Sequence, residues 1–382
     1  MTKNNKSNTA FIAGGLILMF AMLFYVFGES SNGMYATAVI KNIIQQPDID
    51  PDTQEKVYGV DIEFTAGPYA GKVMSTEHFE SPGSIYNLDL EVGQKVLAVA
   101  EEQEGQLIIG IDEHYKAGRL MFISALLLLL IAGVAGKNGV KAMLALFFTL
   151  IMIFGFMARL LLSGWSPIPL TVFSALIITA VYLFVVAGKT RKGFVAMIGT
   201  VSGVVLAGLF GWLSAVLLKL TGYTGDESTY LQLLSTAIDL RGLLVSGIII
   251  GALGAVMDVA ISIASSLLEI SQANPGYDRR RLFESGMNIG RDIIGSMVNT
   301  LILAYTGSSL TLILLFALQK EDFPLIKIMN MEFICAEIVR SLAGLFGMVL
   351  AIPVTAAVAA YIYTTRQSQP VTEKDVVAAN IE

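Results

Sequence analysis

Asp258 lies within an apolar run, about Leu243 to Leu268, that is long enough to cross a bilayer as a helix. An ionised carboxylate at that depth costs at least ~2.5–3.5 kcal/mol on the insertion scale. The group must therefore be protonated, hydrated or paired, and any of these makes it a candidate for carrying a proton or holding a cation. Gly247, Gly251, Gly254, Asp258, Ser262, Ser265 and Glu269 follow one another at steps of three or four. At about 100° per residue they form one narrow stripe, with Asp258 roughly 16 Å along the axis from Glu269. The glycines of such a stripe let a neighbouring backbone approach, and the Asp, Ser and Glu open the seam into a polar pocket.

A second polar face lies in the next apolar run. Asp292, Gly295, Ser296, Asn299 and Thr306 share one side of a helix that begins beside Arg291. The connection between the two runs is short enough for antiparallel neighbours. The spacing predicts that the stripes touch, with Gly247, Gly251, Gly254 and Gly295 as packing positions. Asp258 is then expected to bond Asn299 or Thr306, and Glu269, Arg291 and Asp292 to form a charged cluster at the inner mouth. The plainer reading makes Ser262, Ser296 and Thr306 interhelical hydrogen-bond glue and the charged residues an interface marker. Glu337 and Arg340 read as a snorkelling ion pair near the outer end of the last run, Pro353 as a tolerated kink, and His78 and His114 as surface residues.

Other chemistries lack their residues. One cysteine, Cys335, and two histidines provide no disulfide, thiolate zinc cage or paired haem ligands, so no metal and no cofactor is expected. Gly188-Lys189-Thr190 ends like a phosphate loop, but Leu183 stands where the first glycine belongs. Asp48, Asp50 and Asp52 alternate like the start of a calcium loop, yet Thr53 and Gly59 replace its glycine and closing glutamate, which leaves a solvated acidic turn. No serine elbow or zinc-protease helix occurs, and an enzyme is not expected.

The elements that position Asp258 follow from composition. The chain is 54% hydrophobic and only 15% charged, with a mean hydropathy of +0.68, which marks an integral membrane protein whose partner is the lipid bilayer. A first apolar run, Ala10 to Gly28, follows Lys3 and Lys6 and reads as an uncleaved signal anchor over residues 1–29. Residues 30–116 change to short β-branched and aromatic runs, Val57 to Phe64, Gly71 to Met74, Lys95 to Val99 and Gln106 to Ile111, the pattern of a small β-barrel or sandwich. Between Glu29 and Lys116 about sixteen acids stand against about five lysines, so no nucleic-acid footprint exists.

Residues 117–365 hold seven further apolar runs, near Leu120 to Gly136, Ala142 to Leu162, Leu170 to Gly188, Phe194 to Leu218, Leu243 to Leu268, Ile293 to Leu318 and Leu342 to Tyr363. With the anchor they make about eight spans, and residues 366–382 form a tail. Lys137, Lys141, Lys189, Arg191, Lys192, Arg279, Arg280, Arg281, Arg291 and Arg366 fall in alternate connections, which the positive-inside rule assigns to the cytoplasm. Both termini are then expected inside and the β domain outside. The expected fold class is an α-helical polytopic membrane protein with a small extracytoplasmic all-β domain.

Two blocks carry a family resemblance. Gly251 to Ser266, GALGAVMDVAISIASS, resembles the signature helix of the YibE/F family of bacterial membrane proteins. Ser285 to Tyr305, SGMNIGRDIIGSMVNTLILAY, with the following Gly307 to Leu310, is similar to that family's other marker. The resemblance implies a transport-related membrane protein and brings no catalytic or ligand residues. An anchor, an outer domain and a mid-membrane aspartate also resemble, at the level of architecture, half of an RND-type proton-driven permease, though with seven later spans against five.

The expectation is a cytoplasmic-membrane transporter or transporter subunit for an unknown solute or ion, proton- or cation-coupled through Asp258. The alternative is a non-transporting scaffold whose outer domain binds an envelope protein. A homo-oligomer is compatible with both.

Overall fold

A computed structural model describes residues 34–49, 56–81, 84, 87–103, 106–234, 238–319 and 321–364. The expected anchor at 1–29, the acidic turn around Asp50 and Asp52, and the tail at 366–382 lie outside them. The chain divides into two compact units, Met1–Gly136 and Lys137–Glu382.

The first unit contains five antiparallel strands: β1 (Met34–Ile49), β2 (Lys56–Phe64), β3 (Val73–Glu80), β4 (Lys95–Gln103) and β5 (Gln106–His114), in the sheet order β3-β2-β1-β4-β5. Strand alternation turns Ala36, Ala38, Ile40, Val60, Ile62, Phe64, Val96, Ala98 and Ala100 inward as one apolar core. A register shift between Ile40 and Asn42 bends β1, which is long enough to pair with β2 on one side and β4 on the other. The outer strands come together where the Thr76 hydroxyl donates to the Ile109 carbonyl. The sheet is thus rolled into a nearly closed barrel. His78 is not a surface residue: it follows Thr76 by one strand period, so it points inward and is buried.

Helix begins at Ala117. The elements are α1 (Ala117–Leu150), a π-helical segment (Ile151–Met157), α2 (Ala158–Leu162), α3 (Pro167–Ala187), α4 (Arg191–Leu217), α5 (Asp226–Leu234), α6 (Leu240–Ala273), α7 (Arg279–Ser308), α8 (Leu310–Leu318), α9 (Leu325–Ile328) and α10 (Glu332–Thr364). Among the described residues five helical stretches are long and apolar enough to cross a membrane, or six if the bent pair α7 and α8 counts as one span. Two differences account for the shortfall from seven runs. The runs expected at Leu120 to Gly136 and Ala142 to Leu162 fall in one 46-residue stretch, in which two helices meet across a kink at Gly136, whose φ of 55° suits glycine. The run expected at Ile293 to Leu318 bends by 59° at Ser309, where Gly307, Ser308 and Ser309 supply the small polar residues at which helices kink.

The tight core of the second unit is α4, α6 and α10, held by glycines of α4. A Cβ on Gly203 would lie 2.6 Å from Val256 Cγ1 and 2.8 Å from the Gly347 carbonyl oxygen, and one on Gly211 would lie 2.9 Å from Ile248. Gly286 and Gly290 do the same for α7, against Leu267, Ala356 and Ile352. Gly199-x-x-x-Gly203 and Gly286-x-x-x-Gly290 are the small-residue spacings that let helix backbones meet.

The contacts fix the helix directions. Pro167 packs on Gly242, and Glu332 accepts from the Thr221 and Gly222 amides, both at 2.7 Å. These contacts gather the starts of α3, α6 and α10 with the end of α4 at one end of the bundle. At the other end Arg279 Nε donates to Thr364 Oγ1 at 3.3 Å and stacks on Tyr361. The connections carrying Lys189, Arg191, Lys192 and Arg279 to Arg281 share this second end.

Candidate functional site

Helix α6 is the most buried span of the bundle except along one line. Gly251, Gly254, Asp258, Ser262 and Glu269 are exposed while Ala252, Leu253, Val256, Met257, Val259 and Ala260 are buried. The stripe read from spacing is therefore a real face, and it forms the floor of a furrow. Helix α3 runs parallel to α6 on one flank, bringing Tyr182 within electrostatic reach of Asp258. Helix α7 runs antiparallel on the other, with Leu267 against Gly286 at one level and Gly251 facing the Tyr305 hydroxyl at another.

Interpolation between those two levels sets Asp258 opposite Ser296. The expected bond from Asp258 to Asn299 or Thr306 is nevertheless not formed. At about 100° per residue Asn299 and Thr306 lie some 140–160° around α7 from the Gly286 side that packs on the bundle. With Asp292, Gly295 and Ser296 they are exposed. Among the described residues no group hydrogen-bonds the Asp258 carboxylate and no cation lies in ion-pair range.

The charged cluster expected of Glu269, Arg291 and Asp292 also fails to close. Arg291 Nη1 donates to Asn288 Oδ1 at 2.8 Å, one turn back on its own helix, and among the described residues neither Glu269 nor Asp292 takes part in an ion pair. The packing role expected for the stripe glycines is corrected too. A Cβ on Gly254 or Gly295 would meet nothing within 4 Å, and one on Gly247 or Gly251 would meet only the tips of Arg340 and Tyr305. The close-approach glycines belong to α4, α7 and α10 because those faces point at the bundle axis, whereas the α6 stripe points away from it.

Two residues were undervalued from sequence. Arg340 and Glu337 do form their ion pair, but the guanidinium turns inward, its Nη2 only 3.8 Å from the Cβ position of Gly247. Tyr305 lies within electrostatic reach of both. The furrow thus holds an arginine, a carboxylate and a phenol near one end and a lone carboxylate halfway along. At ~1.5 Å per residue Gly247 and Asp258 are about 16 Å apart.

A family model described as YibE/F-like protein matches residues 122–365, which includes every residue of this furrow. No curated protein and no solved structure matches the chain.

Proposed function

This chain is a member of the YibE/F-like family, and from the furrow its helices build we propose that it is a transporter, or a transporter subunit, of the cytoplasmic membrane. Asp258 is its proton- or cation-coupling group, and the protein is a carrier rather than an enzyme. The observation that carries this reading is a carboxylate at the middle of a long apolar helix with no donor or cation among the described residues to neutralise it. In hydrocarbon such a group takes a proton or holds a cation. Cycling between the neutralised and the bare state requires access to water, and we assign that route to the exposed line from Gly251 to Glu269.

The positive-inside rule puts the end bearing Lys189, Arg191, Lys192 and Arg279 in the cytoplasm, with both termini. Glu269 and Arg291 then flank the inner mouth, Tyr305 and Arg340 lie towards the outside, and the β-barrel is extracytoplasmic. The bend at Ser309, four residues past Tyr305, makes a discontinuous helix at the outer part of the furrow, a device that lets part of a helix move during alternating access.

Replacing Asp258 by Asn and by Ala and following proton and cation flux in proteoliposomes tests the reading. Flux in the parent that is lost in both variants supports it; variants that keep full flux end it.

One observation favours a second reading, the scaffold. The outer face of the barrel carries a groove of about 540 Å³ lined by Ile44, Asp61, Glu77, Phe79 and Ile108, among others. Exposed apolar side chains beside two carboxylates suit an envelope partner presenting apolar and basic groups. A chain that recruits such a partner yet moves no ion in any variant fits this reading and not the first.

A further inference from the structure

Gly247 and Gly251 differ from the close-approach glycines of α4, α7 and α10. A methyl on Gly203 would collide with backbone, but at these two positions it would sit at ordinary contact distance, 3.8 Å from Arg340 Nη2 and 3.5 Å from the Tyr305 hydroxyl. Packing therefore does not require glycine there. What the two glycines do is leave a guanidinium tip and a phenol hydroxyl uncovered by any side chain of their own, one beside each.

The guanidinium is incompletely used. Nη1 donates to Glu337, Nε is buried with no acceptor, and no protein acceptor reaches Nη2 or the Tyr305 hydroxyl among the described residues. An arginine has five N–H donors in a planar fork, and with one carboxylate on Nη1 and Nε closed off by burial, Nη2 is the donor left for a ligand. Nη2 and a phenol hydroxyl can each bond one oxygen of a carboxylate or phosphate, and a hydrogen bond from the charged donor is of the stronger kind.

We infer that Arg340 and Tyr305, over the glycine floor at Gly247 and Gly251, form a binding subsite for an oxyanion group. The ligand class is a small solute carrying a carboxylate or phosphate, held by Arg340 Nη2 and the Tyr305 hydroxyl. This rests on the transport reading in that it names the class of solute the furrow accepts. A lipid headgroup phosphate shares the same chemistry and is the other source to be distinguished.

The test is binding to the purified full-length chain in detergent, read as the rise in thermal unfolding midpoint. Acetate, inorganic phosphate and phosphatidylglycerol are titrated separately against chloride at matched ionic strength. The expected result is saturable protection by acetate or phosphate that is abolished in Arg340→Gln and weakened about tenfold in Tyr305→Phe. Because Arg340→Gln leaves Glu337 unpaired and could unfold the chain, the double variant Glu337→Gln with Arg340→Gln is the folded control, and it also must not respond.

Gly247→Ala separates binding from structure. A helical alanine with room for its methyl raises the midpoint of the free protein, while covering the guanidinium tip lowers oxyanion affinity; a purely structural Arg340 would give the first effect without the second. Protection by phosphatidylglycerol alone keeps the oxyanion site and assigns it to a headgroup. Protection by no anion, or equal protection in the double variant, overturns the proposal. Since the readout is binding, loss of ion flux in Asp258 variants neither produces nor hides either outcome.

Discussion

Gly203 of α4 and Gly347 of α10 meet backbone to backbone, so that a Cβ on Gly347 would lie 2.6 Å from the Gly203 carbonyl oxygen. Neither partner can move without separating two of the three helices that form the core. Gly203→Ala is therefore expected to destabilise the helical unit by about 1–3 kcal/mol, the usual cost of overpacking. Gly254→Ala, with nothing within 4 Å, should be neutral or stabilising by up to about 1 kcal/mol. Denaturant unfolding of the two variants in one detergent gives the comparison.

Glu332 ties the start of α10 to the turn after α4. It accepts from the Thr221 and Gly222 amides at 2.7 Å and from Thr221 Oγ1 at 2.8 Å. Glu332→Ala leaves those amides without their acceptor and should cost on the order of 1–3 kcal/mol. Faster amide exchange at Thr221 and Gly222, with exchange in the middle of α6 unchanged, is the expected signature.

The barrel carries a pH dependence of known sign. Burial holds the His78 imidazole below its ordinary value of 6.5, and this outweighs the opposing pull of Glu80 and of the Leu88 backbone. Folded His78 stays neutral where the unfolded chain already binds a proton. Its contribution to stability is complete above about pH 6.5 and is lost as pH falls from there through the lower folded value. Amide exchange on β3 in the full chain should quicken over that window, and His78→Phe should flatten the response.

Much of this architecture is legible from local pattern. The β runs at Val57, Lys95 and Gln106 lie in β2, β4 and β5, because alternating burial is written residue by residue. Strand β1 escaped notice because its inward positions Ala36, Ala38 and Ile40 are mostly small, and small residues weaken the alternation. The exposed residues Gly251, Gly254, Asp258, Ser262 and Glu269 of α6 lie on one face, which helical period alone determines. What that face meets is not local information. Asp258 and Asn299 have compatible spacing, but the rotation of α7 is set by Gly286 and Gly290 packing on α10, and this carries Asn299 away. Arg340 was misjudged for the same reason: an i, i+3 partner at Glu337 looks alike whether the pair faces lipid or, as here, a glycine 93 positions earlier in the chain. The bend at Ser309 and the α4 glycine seam had signals in Gly307-Ser308-Ser309 and Gly199-x-x-x-Gly203 that hydropathy does not register.

In the proposed transport cycle Asp258 takes up and releases a proton or cation from water. Carbodiimide couples to protonated carboxyls in apolar surroundings, and mass spectrometry of the labelled full-length chain reads the modification at Asp258 directly. The expected result is labelling at Asp258 that falls steeply as pH is raised, or that a competing cation suppresses at constant pH. Labelling that is absent at every pH, or that is unchanged by both pH and cations, would contradict it.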